Sequence, residues 1–139
     1  MTRLFLDTNV MLDLLCERKP HYDSVAKIIM LKENNEVELV ASSLSFVNCH
    51  YIMSKISDKK TVSDVLKKFR IVCEVAEIDE SNIDKSLFSK FNDFEDAVQY
   101  YSALKSKSDS IITRNAKDFS LSEIPVLSAE EFLSSINKK

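Results

Sequence analysis

Residues 3–9 read Arg3-Leu4-Phe5-Leu6-Asp7-Thr8-Asn9, so that an apolar strand runs directly into a carboxylate at the start of a helical pattern. Open α/β sheets build their sites at the carboxyl ends of strands, beside the N-termini of helices. Two later segments, residues 93–97 and 111–115, bring further oxygen-bearing side chains to the ends of elements in the same way. Together the three segments predict one acidic pocket assembled from distant parts of the chain.

The composition fits one compact domain spanning residues 1–139. With 139 residues, 45% of them hydrophobic and 29% charged, the chain has enough apolar side chains for one core, and two domains would be cramped. The formal net charge of -3 argues against a protein that coats nucleic acid by charge alone, although a local basic face can coexist with an acidic total.

The cysteines and the N-terminus predict a cytoplasmic protein. Cys16, Cys49 and Cys73 are odd in number and lack the paired spacing of zinc sites, which indicates buried thiols in a reducing compartment. The first strand begins at Arg3, which leaves no room for a signal peptide, and no apolar run approaches the ~18 residues of a membrane span.

The chain contains no glycine. Dinucleotide-binding loops and P-loops need glycine so that backbone amides can approach phosphates, and both motifs are therefore excluded. Turns and helix ends must instead be made by Asn, Asp and Ser, for example at Asn34, Asn35, Ser57 and Asp58.

Strand-like and helix-like segments alternate along the chain. The predicted strands are residues 3–6, 37–41, 71–75, 110–113 and 125–127, the last being a short edge strand that begins at Pro125. The predicted helices begin near Val10, at Pro20 and at Thr61, span residues 44–56, 81–91 and 95–107, and finish with one that Ser128 caps. Strands separated by helices predict an α/β fold with a central parallel sheet and helices on both faces.

The acidic positions suit a hard divalent cation. Mg²⁺ and Mn²⁺ prefer carboxylates and retained water to sulfur or imidazole. Cations held in this way activate water and stabilise an attacked phosphate. The predicted pocket therefore indicates phosphodiester chemistry.

Four segments occur in a characteristic order, namely Leu6-Asp7-Thr8-Asn9, Ser43-Leu44-Ser45, Asp93-Phe94-Glu95-Asp96-Ala97, and Thr113-Arg114-Asn115 with Asp118-Phe119. With this order and spacing the chain resembles the PIN-domain family from residue 1 to about residue 136. Members of that family are compact α/β metal-dependent ribonucleases, many of them the toxin halves of bacterial VapBC toxin-antitoxin pairs. The resemblance implies a single PIN-like domain in which Asp7 is the first metal-binding carboxylate and Asp96 the carboxylate on the later helix.

Two positions depart from the family pattern. Asn48 stands where the family usually places a glutamate, and Asn115 stands where it usually places an aspartate. An amide oxygen can ligate a divalent ion but contributes no charge, so Asp7 and Asp96 alone would hold Mg²⁺ less tightly than four carboxylates. The missing charge could come from Asp93, Glu95 or Asp118, and the sequence does not choose among them.

Several of these residues also have a plainer interpretation as helix caps. Asp7 is placed to cap the first helix, and Asp93 to cap a later one with Asp96 as a partner in its first turn. Asn115 and Asp118 are placed to cap a short turn. For Asp7 and Asp96 we favour the site interpretation. Asn48 has poor helix propensity, which indicates a specific hydrogen bond, a ligand role or a water-satisfied core amide.

Basic residues next to the predicted pocket are candidates for contact with phosphate. Arg114 and Lys117 follow the fourth strand, and we predict that they contact RNA phosphates. A second basic group, comprising Lys55, Lys59, Lys60, Lys67, Lys68 and Arg70, is a possible binding face, although Lys67 and Lys68 are expected by default to lie on a solvated helix face. His21 and His50 are isolated and are expected to cap or to pack.

The acidic pocket predicts divalent-metal phosphodiester chemistry, and the resemblance to the PIN-domain family implies a Mg²⁺- or Mn²⁺-dependent endoribonuclease of the toxin type. Water activated by metal at Asp7 and Asp96 would attack a phosphodiester, with Asn48 and Asn115 as ligands or positioning groups. The expected partners are RNA, an antitoxin protein that inserts a basic side chain into the pocket, and a second copy of the chain. Part of the apolar surface of the first helices, with Met11, Leu14, Leu15, Ile29 and Met30, would serve that association, although a core role is their default.

Two alternatives belong to other functional classes. The two amides at acidic positions favour a catalytically weakened PIN-like domain that binds RNA or a protein partner without cleavage. An aspartyl-phosphate phosphatase would use Asp7 as the nucleophile, but its usual second aspartate, two residues further on, is Asn9 here.

Overall fold

The computed structural model describes residues 1–137. Its strands are β1 (Thr2–Leu6), β2 (Val37–Ser42), β3 (Cys73–Ala76), β4 (Ser110–Ile112) and β5 (Val126–Leu127). Its helices are α1 (Thr8–Leu15), α2 (Tyr22–Glu33), α3 (Ser43–Met53), α4 (Lys59–Val72), α5 (Glu80–Leu87), α6 (Phe94–Lys105) and α7 (Ala129–Asn137), and a 3₁₀ turn spans Ala116–Phe119. The five strands form one parallel sheet in the order β3-β2-β1-β4-β5.

The strand order reverses at β1, which lies at the centre of the sheet. The chain runs from β1 to β2 and β3 on one side and then crosses to β4 and β5 on the other. Within β1, Leu4 is paired with Leu39 of β2 and with Ser110 of β4. Connections that leave β1 and β4 in opposite directions open a crevice at their carboxyl ends, where sheets of this kind bind ligands.

Both faces of the sheet are covered, as the sequence predicted. Alternate residues of β1 point to opposite faces. Leu4 and Leu6 belong to a large core formed with α1, α2, α3, α4 and α7. Phe5 lies in a smaller core on the other face with Tyr100 of α6 and with Phe119. The alternation therefore fixes which side chains of β1 meet which layer of helices.

Both ends of α4 differ from the sequence-based expectation. The strand expected at residues 71–75 begins only at Cys73, since α4 continues to Val72. Ile71 is 81% exposed at the end of that helix. The cap of α4 is Asp58 and not Thr61, because the Asp58 carboxylate accepts from the backbone N of Thr61 at 2.9 Å and from its hydroxyl at 2.8 Å.

Other helix termini shift by a few residues. The second helix begins at Tyr22, and the helices expected to reach residues 56 and 91 end at Met53 and Leu87. Ser128 forms the predicted cap of α7. Its hydroxyl accepts from the backbone N of Glu131 at 3.0 Å, and the Glu131 carboxylate accepts from the backbone N of Ser128 at 2.9 Å.

Three helices end in the same motif, with a left-handed residue that is not glycine. Glu17, Asn35 and Lys107 have φ of 49°, 59° and 58° and follow the last residues of α1, α2 and α6 by two positions. At the end of α1, the backbone N of Glu17 donates to Leu14 O, and that of Arg18 donates to Asp13 O. The same pair of bonds closes α2 and α6, which defines the Schellman motif.

The cysteines are free thiols, as predicted. Cys49 and Cys73 are buried and Cys16 is half-buried. Burial raises the pKa of Cys49 and of Cys73 to about 12, so both thiols stay protonated at neutral pH and are poor nucleophiles. Within residues 1–137 no helix combines the length and the apolar character needed to cross a membrane.

Candidate active site

Asp7 lies where the strand order reverses, and both of its carboxylate oxygens are engaged. Oδ1 accepts from the backbone N of Thr8 at 2.9 Å, and Oδ2 accepts from the Thr113 hydroxyl at 2.8 Å. The backbone N of Asp7 donates to Ile112 O at 3.0 Å, which continues the pairing of β1 with β4. Asp7 therefore caps α1 and also bridges two adjacent strand ends, so the two interpretations of this residue are compatible.

Negative charges surround Asp7 and Asp96. Burial is the main cause that raises the pKa of Asp7, and the charges of Asp118 and Glu95 raise it further, whereas hydrogen bonds from Thr113 and Thr8 lower it. For Asp96, burial and then the charges of Asp93, Asp118 and Asp7 raise the pKa to about 7. Burial and mutual repulsion make the ionised forms of these carboxyl groups unfavourable. A cation bound between them would offset that repulsion, so this region favours cation binding.

An open cavity of about 370 Å³ contains much of this acidic group. Asp93, Asp96 and Asp118 line it together with Lys90 and Lys117. A larger cavity of about 520 Å³ lies between α5 and α6, but there Lys105 pairs with Asp79 and with Glu77. Of these two cavities, the smaller one is therefore lined both by acids that form no ion pair within the described residues and by two lysines.

Asn48 on α3 reaches α6. Its Nδ2 donates to Glu95 Oε1 at 2.9 Å. Asp93 caps α6, as predicted, because its Oδ1 accepts from the backbone N of Glu95 at 3.1 Å. The expectation that Asn48 makes a specific hydrogen bond is confirmed, and its partner is an acid from another helix.

Asn115 sits beside the same strand end. Its backbone N donates to the Thr113 hydroxyl at 3.1 Å, and this hydroxyl in turn donates to Asp7. Asn115 occupies the N-cap position of the 3₁₀ turn, as the plainer interpretation placed it, but its side chain makes no capping hydrogen bond. Asp118 is exposed within that turn, whereas Phe119 anchors it in the core. Asn9 is half-buried on the first turn of α1.

Arg114 is held by an ion pair that sequence reasoning missed. Its Nε and Nη2 donate to the two carboxylate oxygens of Asp13 at 2.7 and 3.2 Å. The Asp13 side chain is 1% exposed. A buried carboxylate of this kind requires a partner, and the signal in the sequence is a lone acid within the apolar run of α1. Contact of Arg114 with phosphate stays a prediction and would use Nη1 or the second N–H of Nη2.

Lys67, Lys68 and the two histidines do not line the acidic cavity. Lys67 and Lys68 are exposed on α4, as expected for a solvated face. His50 Nε2 is 3.4 Å from the Ser63 hydroxyl, and His21 Nδ1 is 3.8 Å from Glu130. Lys117 lines the cavity together with Lys90, so both lysines are placed to meet a phosphate there.

A buried polar network joins the helices around the site, and sequence reasoning missed it as well. The Gln99 side chain is buried on α6, where its Oε1 accepts from the Ser42 hydroxyl at 2.6 Å. Its Nε2 donates to the hydroxyls of Ser45 at 2.8 Å and of Thr8 at 3.1 Å. One amide thereby links the first turns of α1 and α3 to α6.

The donor set fits a divalent cation held by few protein ligands. Among the residues that the structure describes, no three His, Cys, Asp or Glu side chains converge closely enough to enclose a metal ion. Within the described residues, neither Asp7 nor Asp96 forms an ion pair with a basic side chain. Mg²⁺ often binds through one or two carboxylates and keeps several waters, which is the arrangement these residues would support.

Comparison with known proteins agrees with this architecture. The family model described as PIN domain matches residues 3–117, and the chain therefore belongs to the PIN-domain family. A relative named Ribonuclease VapC1, from Aquifex aeolicus (strain VF5), is 30% identical over 135 residues, which cover 94% of this chain and 92% of the relative.

Solved structures share the fold at low sequence identity. DNA-bound VapBC from Salmonella typhimurium matches with a TM-score of 0.66 and 14% identity, covering 93% of this chain and 99% of that one. VapBC2 from Rickettsia felis, bound to a promoter DNA fragment, matches with a TM-score of 0.64 and 17% identity, covering 90% and 97%. These likenesses show that the sheet and its helices follow the PIN arrangement.

We expect Arg114→Ala to destabilise the protein, because it leaves the buried Asp13 carboxylate without a partner. The loss in the free energy of unfolding should be ~2–4 kcal/mol, since part of the guanidinium is in contact with water. Urea denaturation measures it. The double variant Asp13→Leu with Arg114→Leu should recover much of the loss, and a loss below ~1 kcal/mol in Arg114→Ala would contradict the role assigned to the pair.

We expect Asp96→Asn to stabilise the metal-free protein more at pH 8 than at pH 5. The pKa of Asp96 rises on folding from an ordinary value of 3.8 to about 7, so the folded state resists losing this proton, and stability falls as pH rises through that range. After allowance for solvent screening of this partly exposed group, the gain at pH 8 should be ~1 kcal/mol.

Scanning calorimetry in chelated buffer at both pH values measures this effect. Glu36→Gln, which removes an exposed charge before β2, is the matched control. An equal stabilisation by Asp96→Asn at pH 5 and pH 8 would rule out the assigned cause.

Proposed function

We propose that this protein is a divalent-metal-dependent endoribonuclease that acts as the toxin of a VapBC-type pair. The observation that carries the proposal is the position of Asp7, which lies at the reversal of strand order beside Asp96 and other acids without a cationic partner. Membership of the PIN-domain family and a relative named Ribonuclease VapC1 support it. The related toxin VapC20 of Mycobacterium tuberculosis is described as cleaving the sarcin-ricin loop.

In this proposal Asp7 and Asp96 hold Mg²⁺ or Mn²⁺. The cation supplies Lewis acidity and lowers the pKa of water at the site. Thr8 and Thr113 fix the direction of the Asp7 carboxylate, so that little reorganisation is needed when charge develops on the phosphate. Asn115 follows Thr113 and would offer a neutral oxygen to the cation or to the substrate.

Lys90 and Lys117 would bind the RNA backbone at the rim of the cavity. Both line it beside the acids, where each can meet a phosphate on either side of the one attacked. Arg114 would contribute less to this binding, because its bidentate pairing with Asp13 uses two of its five N–H donors and fixes the direction of the guanidinium. The protein would act in the cytoplasm, where its RNA substrate and its reduced thiols are both expected.

An antitoxin is the expected protein partner. The neighbours from Salmonella typhimurium and Rickettsia felis were solved as VapBC assemblies. A basic antitoxin side chain inserted between Asp7 and Asp96 would replace the cation and relieve the same repulsion. A homodimer is also expected, although of the five apolar residues predicted to serve that association only Met30 is an exposed residue, at 59%, whereas Met11 is buried.

A second candidate function is RNA or protein binding without cleavage. It is favoured by the amides at positions 48 and 115 and by the lack of a three-acid cluster in the described part of the chain. Metal binding and RNA binding without turnover would identify this alternative.

We expect Asp7→Asn to abolish Mn²⁺ binding and RNA cleavage while the fold is kept, because the substitution preserves shape and removes one charge. Calorimetric titration with Mn²⁺ and a cleavage assay on total RNA measure the two properties, and circular dichroism checks the fold. Glu36→Gln makes an equal change of charge just before β2, at the amino-terminal end of that strand and away from the strand ends that hold Asp7. It should leave both properties unchanged. Undiminished cleavage by purified Asp7→Asn would remove Asp7 from the mechanism.

We expect the protein to co-purify from its native cells with a small antitoxin and to arrest growth when it is produced alone. The acidic pocket explains both results. A bound antitoxin would neutralise the pocket, and without the antitoxin the pocket would be open to RNA. Mass spectrometry with light scattering identifies the complex and its stoichiometry. A lone monomer that is harmless when overproduced would refute the toxin assignment.

A further inference from the structure

The Glu95 carboxylate is oriented by a side chain from a different helix. Asn48 Nδ2 on α3 donates to Glu95 Oε1 on α6 at 2.9 Å, across 47 positions of the sequence. Asn48 is half-buried, whereas Glu95 is an exposed residue. Within residues 1–137 the other oxygen, Oε2, makes no hydrogen bond, so the carboxylate is fixed at one end and able to accept at the other.

The charge of Glu95 reaches the centre of the site. It contributes to the raised pKa of Asp7, although Asp7 lies 88 positions earlier in the chain. Glu95 is also adjacent to Asp96 in the first turn of α6. Three carboxylates from the end of β1 and the start of α6 therefore act on the same region, and Glu95 is the one held there by an amide.

The other two acids are less suited to this role. The Asp93 carboxylate is used in capping α6 and in a hydrogen bond with Asp96. Asp118 adds negative charge near both Asp7 and Asp96, but no side-chain hydrogen bond within the described residues fixes its direction on the exposed 3₁₀ turn.

We propose that Glu95 supplies a third negative charge beside the metal site of Asp7 and Asp96, acting through space and not as a closely converging third ligand, and that Asn48 is the positioning residue that holds its carboxylate in place. The inference rests on the proposed metal-dependent function and explains how the site retains charge with an amide at position 48. Asn48 acts through Glu95 and need not contact the cation.

Transposing the charge across the hydrogen bond gives a sharp test. In Asn48→Asp with Glu95→Gln both side chains keep their shapes, the hydrogen bond is kept with donor and acceptor exchanged, and the total charge is unchanged. The carboxylate moves only across a contact of 2.9 Å. Glu95→Gln alone removes the charge and leaves two amides facing each other.

The affinity for Mn²⁺, measured by calorimetry, is the readout, and Asp118→Asn and Glu36→Gln complete the set. Glu95→Gln should weaken Mn²⁺ binding about tenfold, and the transposed double variant should return to within about threefold of the unmodified protein. Asp118→Asn should weaken binding less than Glu95→Gln does, and Glu36→Gln should not change it.

Each contrary result has a defined meaning. If Glu95→Gln binds Mn²⁺ as Glu36→Gln does, or less weakly than Asp118→Asn, the role of Glu95 is refuted. If the double variant is as weak as Glu95→Gln, the role of Asn48 is refuted. If the unmodified protein binds Mn²⁺ no better than Asp7→Asn, the proposed function fails and the inference fails with it. If the unmodified protein binds Mn²⁺ more tightly than Asp7→Asn does, the proposed metal site stands, and a contrary result refutes only the roles of Glu95 and Asn48.

Discussion

A single buried amide sets the geometry on which the site depends. The Gln99 side chain is satisfied by three hydroxyls, from Thr8, Ser42 and Ser45. A buried amide with missing partners would cost ~1–3 kcal/mol, which favours the arrangement of α6 and the first turns of α1 and α3 that meets all of its bonds. Asp7 precedes Thr8, and Asp96 lies one helical turn before Gln99, so the same network fixes the separation of the two principal acids.

Electrostatic repulsion is the cost of this arrangement. Burial and neighbouring charge raise the pKa of both Asp7 and Asp96, which means that their ionised forms oppose folding. The hydrogen bonds from Thr8 and Thr113 offset part of that cost for Asp7. In a protein of marginal stability such a site persists because the apolar cores on the two faces of the sheet supply the balance.

Local patterns predicted most of the fold and part of the site. The alternation of strands and helices, the edge strand at Val126, the cap at Ser128 and the position of Asp7 each follow from a few adjacent residues. The ion pair between Asp13 and Arg114 and the contact between Asn48 and Glu95 join residues 101 and 47 positions apart, and no local signal identifies such partners. At residues 71–72 the local signal was misleading, because α4 continues to Val72, which packs against the core, and carries the exposed Ile71 with it.

The left-handed residues at three helix ends link the composition to the unfolded chain. In that conformation Glu17 and Lys107 bear a steric strain of ~1–2 kcal/mol each that glycine would not have. Glycine, however, gives the unfolded chain more freedom, and replacing it by other residues lowers that entropy by an amount worth ~0.4–1 kcal/mol per position. A chain without glycine thus accepts strain at a few native positions, while its denatured ensemble is restricted along its whole length. Part of its stability therefore comes from the lower conformational entropy of the unfolded chain and not from contacts in the folded state.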